Sequence, residues 1–439
     1  MLVPPREPVP HRFDVIIVGA RAAGASLGAQ LARSGMRVLV LDRARFPSDT
    51  VSTHLLQPRA CSYLKKWGLL DRVLAVTPSF THMRQDFEGI HVSGSPPQPL
   101  LERRLAAVHG GDASSYATVV YAAPRRIVVD EILVVAAREA GAEVREGVTV
   151  DGLLTDGDRV VGVRTRSDEG VFEERAPLVV GADGRHSTIA KLLRLPKLRE
   201  RPVCTVAYYA YWSGLNLEGL VWPATLRGRF TIVAYPTNDN AHLVLVFGPG
   251  EWFHDFRAAI ERNYHKIIDW AAPALGERLR EATRVSRFFG TADQAAFYRA
   301  SSGPGWVLVG DAGCCKDQCT AIGMTHAFRD VTLLHAALQS MPADAAAADY
   351  ERRRNEDASE YYDFVCRTAE LHPPRLDQVK LFAGLSTSPG DSDRFEAMFA
   401  DILPVSEFQR DAKRLVGQGA DHPAVRTFDD REYGRNPFV

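Results

Sequence analysis

The sequence lacks the features that mark several common protein classes. Six cysteines in 439 residues are too few and too scattered for a disulfide framework. No apolar run approaches the ~20 residues that a membrane-spanning helix needs. A formal net charge of −1 argues against nucleic acid or an anionic membrane surface as the main partner. We therefore predict a cytoplasmic protein that has no membrane span and binds no nucleic acid.

The cysteines do not form a recognisable metal or redox motif either. Three of them lie close together, at Cys314, Cys315 and Cys319. Their spacing fits neither the paired C-x2-C of a zinc site nor a redox C-x-x-C. We predict no metal, and we expect these cysteines to act as small packing residues. Residues 1–12 have no apolar signal-peptide core, and their prolines predict a disordered lead-in.

The hydrophobic pattern predicts an α/β fold. Residues 13–18 (FDVIIV) and 36–41 (MRVLVL) are typical of buried parallel strands, and a small-residue helix at about 22–34 separates them. Further helices are predicted at 60–76, 126–140 and 321–340, and further strands at 143–150, 160–165, 176–181 and 306–311. Residues 78–122 look irregular. Several runs in 200–290 are typical of antiparallel strands.

This order of elements predicts a discontinuous Rossmann-like nucleotide-binding domain into which a mixed or antiparallel sheet domain is inserted. The nucleotide-binding domain is assigned to 13–77, 120–200 and 290–340. The substrate-binding sheet domain is assigned to 78–119 and 201–289. Residues 341–439 are predicted to form a mainly helical C-terminal region.

A glycine-rich turn follows the first strand and predicts a dinucleotide site. A phosphate at a helix N-terminus needs a tight turn, close backbone approach and free N–H groups. Gly19 can supply the turn, Gly24 allows close helix packing, and Arg21 replaces the middle glycine of G-x-G-x-x-G. The Arg21 side chain is expected to point outward or to assist the pyrophosphate. Asp42 ends the second strand, where a carboxylate meets ribose hydroxyls. The cofactor residues predicted from this unit are Gly19, Ala20, Ala22, Ala23, Gly24, Asp42 and Arg43.

Two later strands also deliver an aspartate beside glycine, at Asp183-Gly184 and Gly310-Asp311. This pattern suits a hydroxyl-rich ligand such as the ribityl chain of a flavin. With the variant glycine turn, these motifs resemble the para-hydroxybenzoate-hydroxylase-like superfamily of group A flavin monooxygenases. That superfamily shares its fold with geranylgeranyl reductases and flavin halogenases. The resemblance covers most of residues 13–340.

The resemblance implies non-covalent FAD and a set of contacts to it. Asp311 is expected to hold the ribityl chain and Asp183 to serve FAD. The N-terminus of the helix at Gly323 and Met324 should face the flavin pyrimidine edge. Arg126, with Arg125 as an alternative, begins a helix that contacts FAD in relatives. Gln57 and Arg59 occupy the loop that lies over the cofactor in relatives.

The same resemblance implies the reaction. Group A enzymes insert one oxygen atom from O2 into a substrate through a flavin C4a-hydroperoxide. The sequence has no second glycine-rich β-α-β unit, so NAD(P)H is expected to dock transiently. The implied activity is hydroxylation of an aromatic or polycyclic small molecule by a monomer or homodimer. Many relatives carry a proline after the GD motif, whereas this chain reads Asp317-Gln318-Cys319.

Residues for substrate binding and catalysis are predicted from position. The strand at 203–212 alternates so that Tyr208 and Trp212 share one face while Tyr209 and Tyr211 share the other. Aromatic walls suit a planar apolar substrate, and either face could provide them. The predicted pocket residues are Tyr208, Tyr209, Tyr211, Trp212 and Tyr235. His54 and Asp317 are the candidates for catalysis.

Three other functions compete with oxygenation. The first is a saturating reductase of the geranylgeranyl-reductase type, although Ile232-Val233-Ala234-Tyr235-Pro236 lacks the tryptophan of the reductase Y-x-W-x-F-P stretch. The second is a flavin halogenase, but the sequence has no W-x-W-x-I-P stretch. The third is a non-catalytic flavin binder, because binding also needs the DG and GD aspartates.

Overall fold

The computed structural model describes residues 12–215, 217 and 222–429, with the backbone alone at 222–225. The predicted lead-in falls outside these residues except for Arg12. Within this part of the chain the strands are β1 Val15–Val18, β2 Val38–Asp42, β3 Ser79–Phe80, β4 Met83–Phe87, β5 Ile90–Gly94, β6 Tyr121–Ala122, β7 Glu143–Glu146, β8 Thr149–Asp156, β9 Arg159–Ser167, β10 Gly170–Arg175, β11 Leu178–Gly181, β12 Leu198–Arg201, β13 Thr205–Ser213, β14 Trp222–Arg227, β15 Phe230–Pro236, β16 Ala241–Pro249, β17 Thr283–Arg284, β18 Phe289–Thr291, β19 Ala296–Tyr298, β20 Ser302–Gly303, β21 Trp306–Leu308 and β22 Cys314–Cys315.

The α-helices of the same residues connect and cover these strands. They are α1 Ala22–Arg33, α2 Pro58–Lys66, α3 Leu70–Leu74, α4 Gln98–His109, α5 Arg126–Glu139, α6 Thr188–Leu192, α7 Phe253–Ala258, α8 Ile260–Ala271, α9 Pro273–Glu281, α10 Gly323–Leu338, α11 Ala343–Ala369, α12 Leu376–Ser386, α13 Pro389–Phe399, α14 Val405–Gln418 and α15 Pro423–Thr427. Among them, none is long and apolar enough to cross a membrane.

A six-stranded sheet forms the nucleotide-binding layer, in the order β20-β21-β11-β1-β2-β7. Its strands run parallel except for β20. All four residues of β1 and all five of β2 are buried, as expected for parallel strands covered on both faces. The carboxyl ends of parallel strands meet at one edge, so Gly19, Asp42, Asp183 and Asp311 are brought to the same edge.

A larger mixed sheet lies beside this layer, in the order β17-β13-β16-β15-β14-β4-β5, with β18 also paired to β13. One face of it packs under α8 and α9, where Tyr208, Trp212 and Tyr264 are buried together. The opposite face, with Tyr209 and Tyr211, packs towards the nucleotide-binding layer. Because side chains alternate between the two faces of β13, its residues belong to two different hydrophobic cores.

The predicted α/β class, with an inserted mixed sheet and a helical C-terminal region, is confirmed, whereas several local predictions were wrong. Residues 78–122 are not irregular, because they contain β3, β4, β5 and α4. The predicted helix at 60–76 is two helices, since Gly68 turns the chain at a φ of +73°. Helices α7 to α9 interrupt the strands of 200–290 and were missed. The domain boundaries stay a prediction.

Candidate cofactor and active site

A cavity of about 550 Å³ opens at the carboxyl edge of the six-stranded sheet. Residues 50–55 and the loop between β22 and α10 form its other walls. The residues of the wall that the sequence predicted to hold the cofactor are Gly19, Ala22, Ala23, Asp42, Arg43, Arg126, Asp183, Gly310, Asp311, Gly323 and Met324. Three separated stretches of the chain therefore meet around one space.

The turn between β1 and α1 is built for close approach. Gly19 adopts a φ of +103°, which side-chain-bearing residues rarely do. A Cβ on Gly24 would lie 1.7 Å from the Gly19 carbonyl oxygen, so only glycine fits there. No side chain caps the N-terminus of α1 and no acidic residue occupies its first turn. Its N–H groups are thus available to an anionic ligand.

Arg21 lines the cavity, and neighbouring residues hold its side chain; its contact with the pyrophosphate stays a prediction. Its guanidinium donates to the buried Asp130 carboxylate at 2.8 Å and to the Ser48 carbonyl at 3.1 Å. It also donates to the Asp49 carbonyl at 3.3 Å. Arg126 pairs with the same Asp130 at 2.9 Å. Arg21 therefore ties the glycine turn to α5 and to the loop after β2.

Asp42 closes the β-α-β unit. One oxygen of its carboxylate accepts from the Ala20 N–H at 2.7 Å, and the other accepts from the Ala44 N–H at 2.8 Å. Each oxygen has a second lone pair, and the side chain lines the cavity. The carboxylate can therefore accept hydroxyl hydrogen bonds while it holds the turn. Ala20 and Gly24 support the wall from behind.

The two later aspartates keep acceptor capacity for a ligand. One oxygen of Asp183 accepts from the Thr188 N–H at 2.6 Å, while the other is buried without a partner among the described residues. No hydrogen bond to the Asp311 carboxylate is found within the same part of the chain. Burial raises the pKa of both carboxyls, and for Asp311 the charge of Lys316 opposes the rise.

Helix α10 presents a second uncapped N-terminus to the cavity. Gly323 and Met324 line the wall, and neither a side-chain cap nor a first-turn acid occupies the helix start. The positive end of this helix is therefore free to face negative charge. Two uncapped helix ends and two carboxyls with open acceptors fit a dinucleotide that carries both phosphate and sugar-alcohol hydroxyl groups.

A carboxylate that the sequence analysis missed supports the GD motif. Asp330, on the second turn of α10, accepts from the Gly310 N–H at 3.0 Å. Its other oxygen accepts from the fully buried Arg329 guanidinium at 2.7 Å. Tyr350 of α11 donates its hydroxyl to Asp330 at 3.1 Å. Helix α11 of the C-terminal region thus contacts Asp330, which supports the cofactor wall at Gly310.

Gln57 and Arg59 differ from their predicted contacts with the cofactor. Gln57 donates to the Thr320 carbonyl at 3.1 Å and is not part of the cavity wall. Arg59 is fully buried and pairs with the carboxylate of Asp401, in the C-terminal region. The buried ion pair between Arg59 of α2 and Asp401 therefore links the nucleotide-binding layer to the loop between α13 and α14.

The aromatic residues of the mixed sheet do not line the cavity directly. Tyr209 accepts from the Ser52 N–H at 3.2 Å, and the Tyr211 hydroxyl lies 3.0 Å from His54 Nε2. Tyr235 donates to the Thr53 carbonyl. The three hydroxyls therefore pin residues 52–54 from behind.

Tyr208 and Trp212 depart further from the prediction. Tyr208 stacks on Phe256, with ring centroids 4.6 Å apart, and Trp212 stacks near Tyr264. They face away from the cofactor cavity because their strand positions place them on the α8 and α9 side. They are excluded from the predicted pocket.

His54 and Asp317 both line the cavity and both are buried. Burial and the charge of Arg126 lower the pKa of His54 to about 3, so its imidazole is neutral near pH 7. Its Nδ1 has no hydrogen-bond partner among the described residues. Burial raises the pKa of Asp317 to about 6, although Thr205 donates to its carboxylate at 2.7 Å. Of the two, Asp317 is therefore the group that can exchange a proton near neutral pH.

Lys316 is a further wall residue that the sequence analysis did not single out. It is only 5% exposed, although it belongs to a loop of polar residues. Lys316 lies in the short stretch of chain between the GD motif and the start of α10. This position in the sequence was the signal that could have identified it as a wall residue. Across the described ranges, no group of three or more potential ligands is placed to hold a metal ion.

Comparison with known proteins supports the cofactor assignment. Residues 12–364 match the family described as FAD binding domain. The chain is 28% identical over 357 residues to squalene epoxidase of Schizosaccharomyces pombe, a match that covers 78% of this chain and 72% of the relative. It is 32% identical to digeranylgeranylglycerophospholipid reductase 1 of Methanopyrus kandleri, but over only 45% of this chain and 46% of that one.

Among solved structures, the fold is similar to that of a myxobacterial chondrochloren halogenase, which is FAD-dependent. The TM-score is 0.68 at 21% identity, and the match covers 98% of this chain and 95% of the halogenase. At this identity the likeness establishes the shared fold only.

Proposed function

Because the chain belongs to the FAD-binding-domain family of flavin-dependent oxidoreductases, it is an enzyme with FAD as cofactor, and we propose that it is an NAD(P)H-dependent monooxygenase. The proposed reaction inserts one atom of O2, most simply as a hydroxyl group, into an aromatic or polycyclic small molecule. Bound FAD supplies the redox and oxygen chemistry. The chain's own residues hold the cofactor, exclude water and manage protons.

The observation that carries the proposal is the wall beside His54, which the mixed sheet supports from behind. Oxygen transfer from a flavin needs a dry site, because water diverts the reaction. Three tyrosine hydroxyls of the mixed sheet bond to residues 52–54 and hold this part of the wall in place. The ring layer behind it, in which Tyr209 stacks on Phe289 with centroids 5.1 Å apart, excludes water further.

The relatives favour oxygenation over double-bond reduction. The epoxidase match extends over 78% of the chain, whereas the reductase match covers 45%. A match of three quarters of the chain includes part of the mixed sheet, where the substrate of this fold is expected to bind. The halogenase alternative rests on the shared fold and on a sequence match of 24% identity to a tryptophan 2-halogenase over 79% of this chain, so coverage does not separate it from the epoxidase.

We assign proton handling to Asp317 and substrate positioning to His54. The His54 imidazole stays neutral, so its Nδ1 can hydrogen-bond a substrate while Nε2 is engaged with the Tyr211 hydroxyl. Asp317 can act as an acid below pH 6 and as a base above it. The remaining cofactor contacts, including Arg43 and Arg126, complete the proposed site.

The test combines the FAD-loaded protein, NADH or NADPH, labelled ¹⁸O2 and chloride or bromide with a library of aromatic and polycyclic compounds. We expect a product that carries one ¹⁸O atom, detected by mass spectrometry. A product with two added hydrogens would replace the proposal by a reductase, and one with halogen in place of hydrogen would replace it by a halogenase.

A matched pair of variants tests the wall. Tyr211→Phe removes the hydroxyl that meets His54, so we expect more NAD(P)H to be oxidised per product and more hydrogen peroxide to be released. Tyr208→Phe changes the same strand on its opposite face and should leave this ratio as in the wild type. Equal ratios in the two variants would contradict the role given to the wall.

A further inference from the structure

The hydrogen bond between Tyr211 and His54 has a direction that Arg125 determines. The Tyr211 hydroxyl lies 3.0 Å from His54 Nε2, so one of the two groups donates to the other. The Arg125 guanidinium lies over the Tyr211 ring, 4.6 Å from its centroid. Burial raises the pKa of Tyr211, and Arg125 opposes this rise by its charge and by a hydrogen bond. A guanidinium can only donate, so the Tyr211 oxygen accepts from Arg125 and keeps its own hydrogen for another acceptor.

Two acceptors compete for the Tyr211 hydrogen. One is the hydroxyl of Tyr209, whose ring meets the Tyr211 ring with centroids 5.8 Å apart. Its oxygen already accepts from the Ser52 N–H at 3.2 Å. The other is His54 Nε2 at 3.0 Å, and an imidazole nitrogen is a more basic acceptor than a phenol oxygen. Tyr211 therefore donates to Nε2.

An accepting Nε2 fixes the position of the proton on His54. Burial and the charge of Arg126 lower the pKa of His54 to about 3, so the neutral ring carries a single N–H near pH 7. That N–H is then at Nδ1. The Ala123 carbonyl also favours a proton on this ring, but it accepts from the Thr237 hydroxyl at 2.7 Å. Nδ1 is buried and has no hydrogen-bond partner among the described residues.

A buried N–H that lacks an acceptor costs about 1–3 kcal/mol. His54 is only 2% exposed and lines the cavity, so a ligand in the cavity is the available source of an acceptor. Arg126 lies in the same wall, and its charge favours an oxygen that carries partial negative charge. A carbonyl oxygen meets both requirements, because it accepts strongly and brings no hydrogen of its own.

We propose that Arg125 and Tyr211 hold His54 in the Nδ1–H tautomer and that this N–H binds a carbonyl oxygen in the cavity. Arg125 is then a positioning residue, since it acts through Tyr211 and is not part of the cavity wall. Asp49 and Asp239 hold it from two sides, at 3.6 Å and 3.7 Å. The carbonyl belongs to a ketone or quinone substrate or to the flavin ring. The substrate branch rests on the proposed function, whereas the tautomer does not.

The first measurement is ¹⁵N NMR of the FAD-loaded protein with ring-labelled histidines, in which His54→Gln identifies the His54 signals. We expect a protonated Nδ1 and an unprotonated Nε2. Tyr211→Phe and Arg125→Met should each give a mixture of the two tautomers, because the donor to Nε2 is lost or no longer oriented. Arg125→Lys keeps a donating cation and should restore the wild-type tautomer. Tyr235→Phe removes a hydroxyl that binds Thr53 instead and should leave the tautomer unchanged.

The second measurement identifies the source of the carbonyl. The Nδ1–H signal is compared in FAD-free protein, in FAD-loaded protein, and after addition of 9-fluorenone or fluorene, which differ by a carbonyl in place of a methylene. A shift on FAD loading assigns the oxygen to the flavin. A shift that requires 9-fluorenone, with binding about tenfold tighter than that of fluorene, assigns it to the substrate.

Each remaining outcome overturns part of the proposal. An Nε2–H tautomer in the wild type would mean that Tyr211 accepts from His54 and donates to Tyr209. A wild-type tautomer in Arg125→Met would remove the positioning role of Arg125, and Arg125→Gln replaces that variant if it does not fold. An Nδ1–H signal that responds to neither FAD nor 9-fluorenone would overturn the carbonyl assignment. These results are independent of the ¹⁸O product that tests the proposed oxygenation.

Discussion

The carboxylate of Asp330 accepts a hydrogen bond from the Gly310 N–H across 3.0 Å, and this contact fixes the Val309–Gly310 peptide, one residue before Asp311. Gly310 adopts a φ of +60°, so the GD turn is a conformation that needs outside support. The support comes from α10, the helix whose N-terminus faces the same cavity. One helix therefore sets both Asp311, the proposed ribityl acceptor, and the positive helix end that is proposed to face the ring.

Asp330→Ala should release this turn. The substitution leaves the buried Arg329 with Asp357 as its remaining carboxylate, at 3.1 Å. We expect the free energy of unfolding to fall by about 3–5 kcal/mol, measured by urea denaturation. FAD affinity should fall at least ~10-fold, because the peptide before Asp311 is no longer held.

Tyr350→Phe is the matched control for that change. It removes one hydroxyl bond to Asp330 but keeps the carboxylate on Gly310. The expected loss of stability is about 1 kcal/mol, with FAD affinity within threefold of the wild type. Wild-type FAD affinity in Asp330→Ala, measured where the protein is folded, would contradict the role of Asp330.

Asp42 and Asp311 should discriminate between FAD and FMN. Asp42→Ala removes the acceptor for the adenosine ribose, so FAD binding should weaken by about 1–3 kcal/mol while FMN binding is unchanged. Asp311→Ala removes the ribityl acceptor that both flavins use and should weaken both. Titration of the apoprotein with each flavin measures these affinities. Equal losses for FAD and FMN in Asp42→Ala would show that Asp42 serves another part of the ligand.

The sequence predicted the features of the site that short-range patterns determine. Gly19 and Asp42 lie within about 25 residues of each other, in one unit of strand, glycine turn, helix and second strand. Asp183 and Asp311 follow other parallel strands, whose carboxyl ends meet at the same edge of the sheet. Alternation on β13 separated Tyr208 from Tyr209 but could not say which face meets the cofactor. That choice depends on α8 and α9, which the sequence analysis missed.

Contacts between distant segments lay beyond prediction. Arg59 meets Asp401, 342 residues away, and Arg21 meets Asp130, 109 residues away. Neither pair shares a local period or motif, because each depends on how whole layers dock. Arg59 was assigned to the ligand because the resemblance places its loop over the cofactor, although a buried carboxylate of the C-terminal region pairs with it.

Asp317 should give the bound flavin a pH-dependent spectrum. Burial raises the pKa of this carboxyl to about 6, so it is neutral below that pH and charged above it. We expect the visible absorbance of bound FAD to titrate with an apparent pKa near 6. Asp317→Asn should abolish this transition, since the amide carries no charge at any of these pH values. A transition that persists in Asp317→Asn would assign it to another group.

Glu396 should make the stability of the protein depend on pH. It is fully buried on α13, where Gln85 donates to it at 2.7 Å, and burial raises its pKa to about 8. A raised pKa means that the folded state holds the proton more tightly than the unfolded state. Stability from this group is therefore complete below about pH 4.5 and is lost progressively as the pH rises to about 8, by up to about 1.4 kcal/mol per pH unit.

Glu396→Gln tests this dependence. The amide oxygen can still accept from Gln85, and the variant has no carboxyl to ionise. Its stability should exceed that of the wild type increasingly from pH 5 to pH 8, measured by urea denaturation at each pH. Glu277→Gln changes an exposed glutamate of α9 and should follow the wild-type curve within about 0.5 kcal/mol. Parallel curves for Glu396→Gln and the wild type would show that Glu396 is already ionised in the folded protein, because only an uptake of protons on folding produces the divergence.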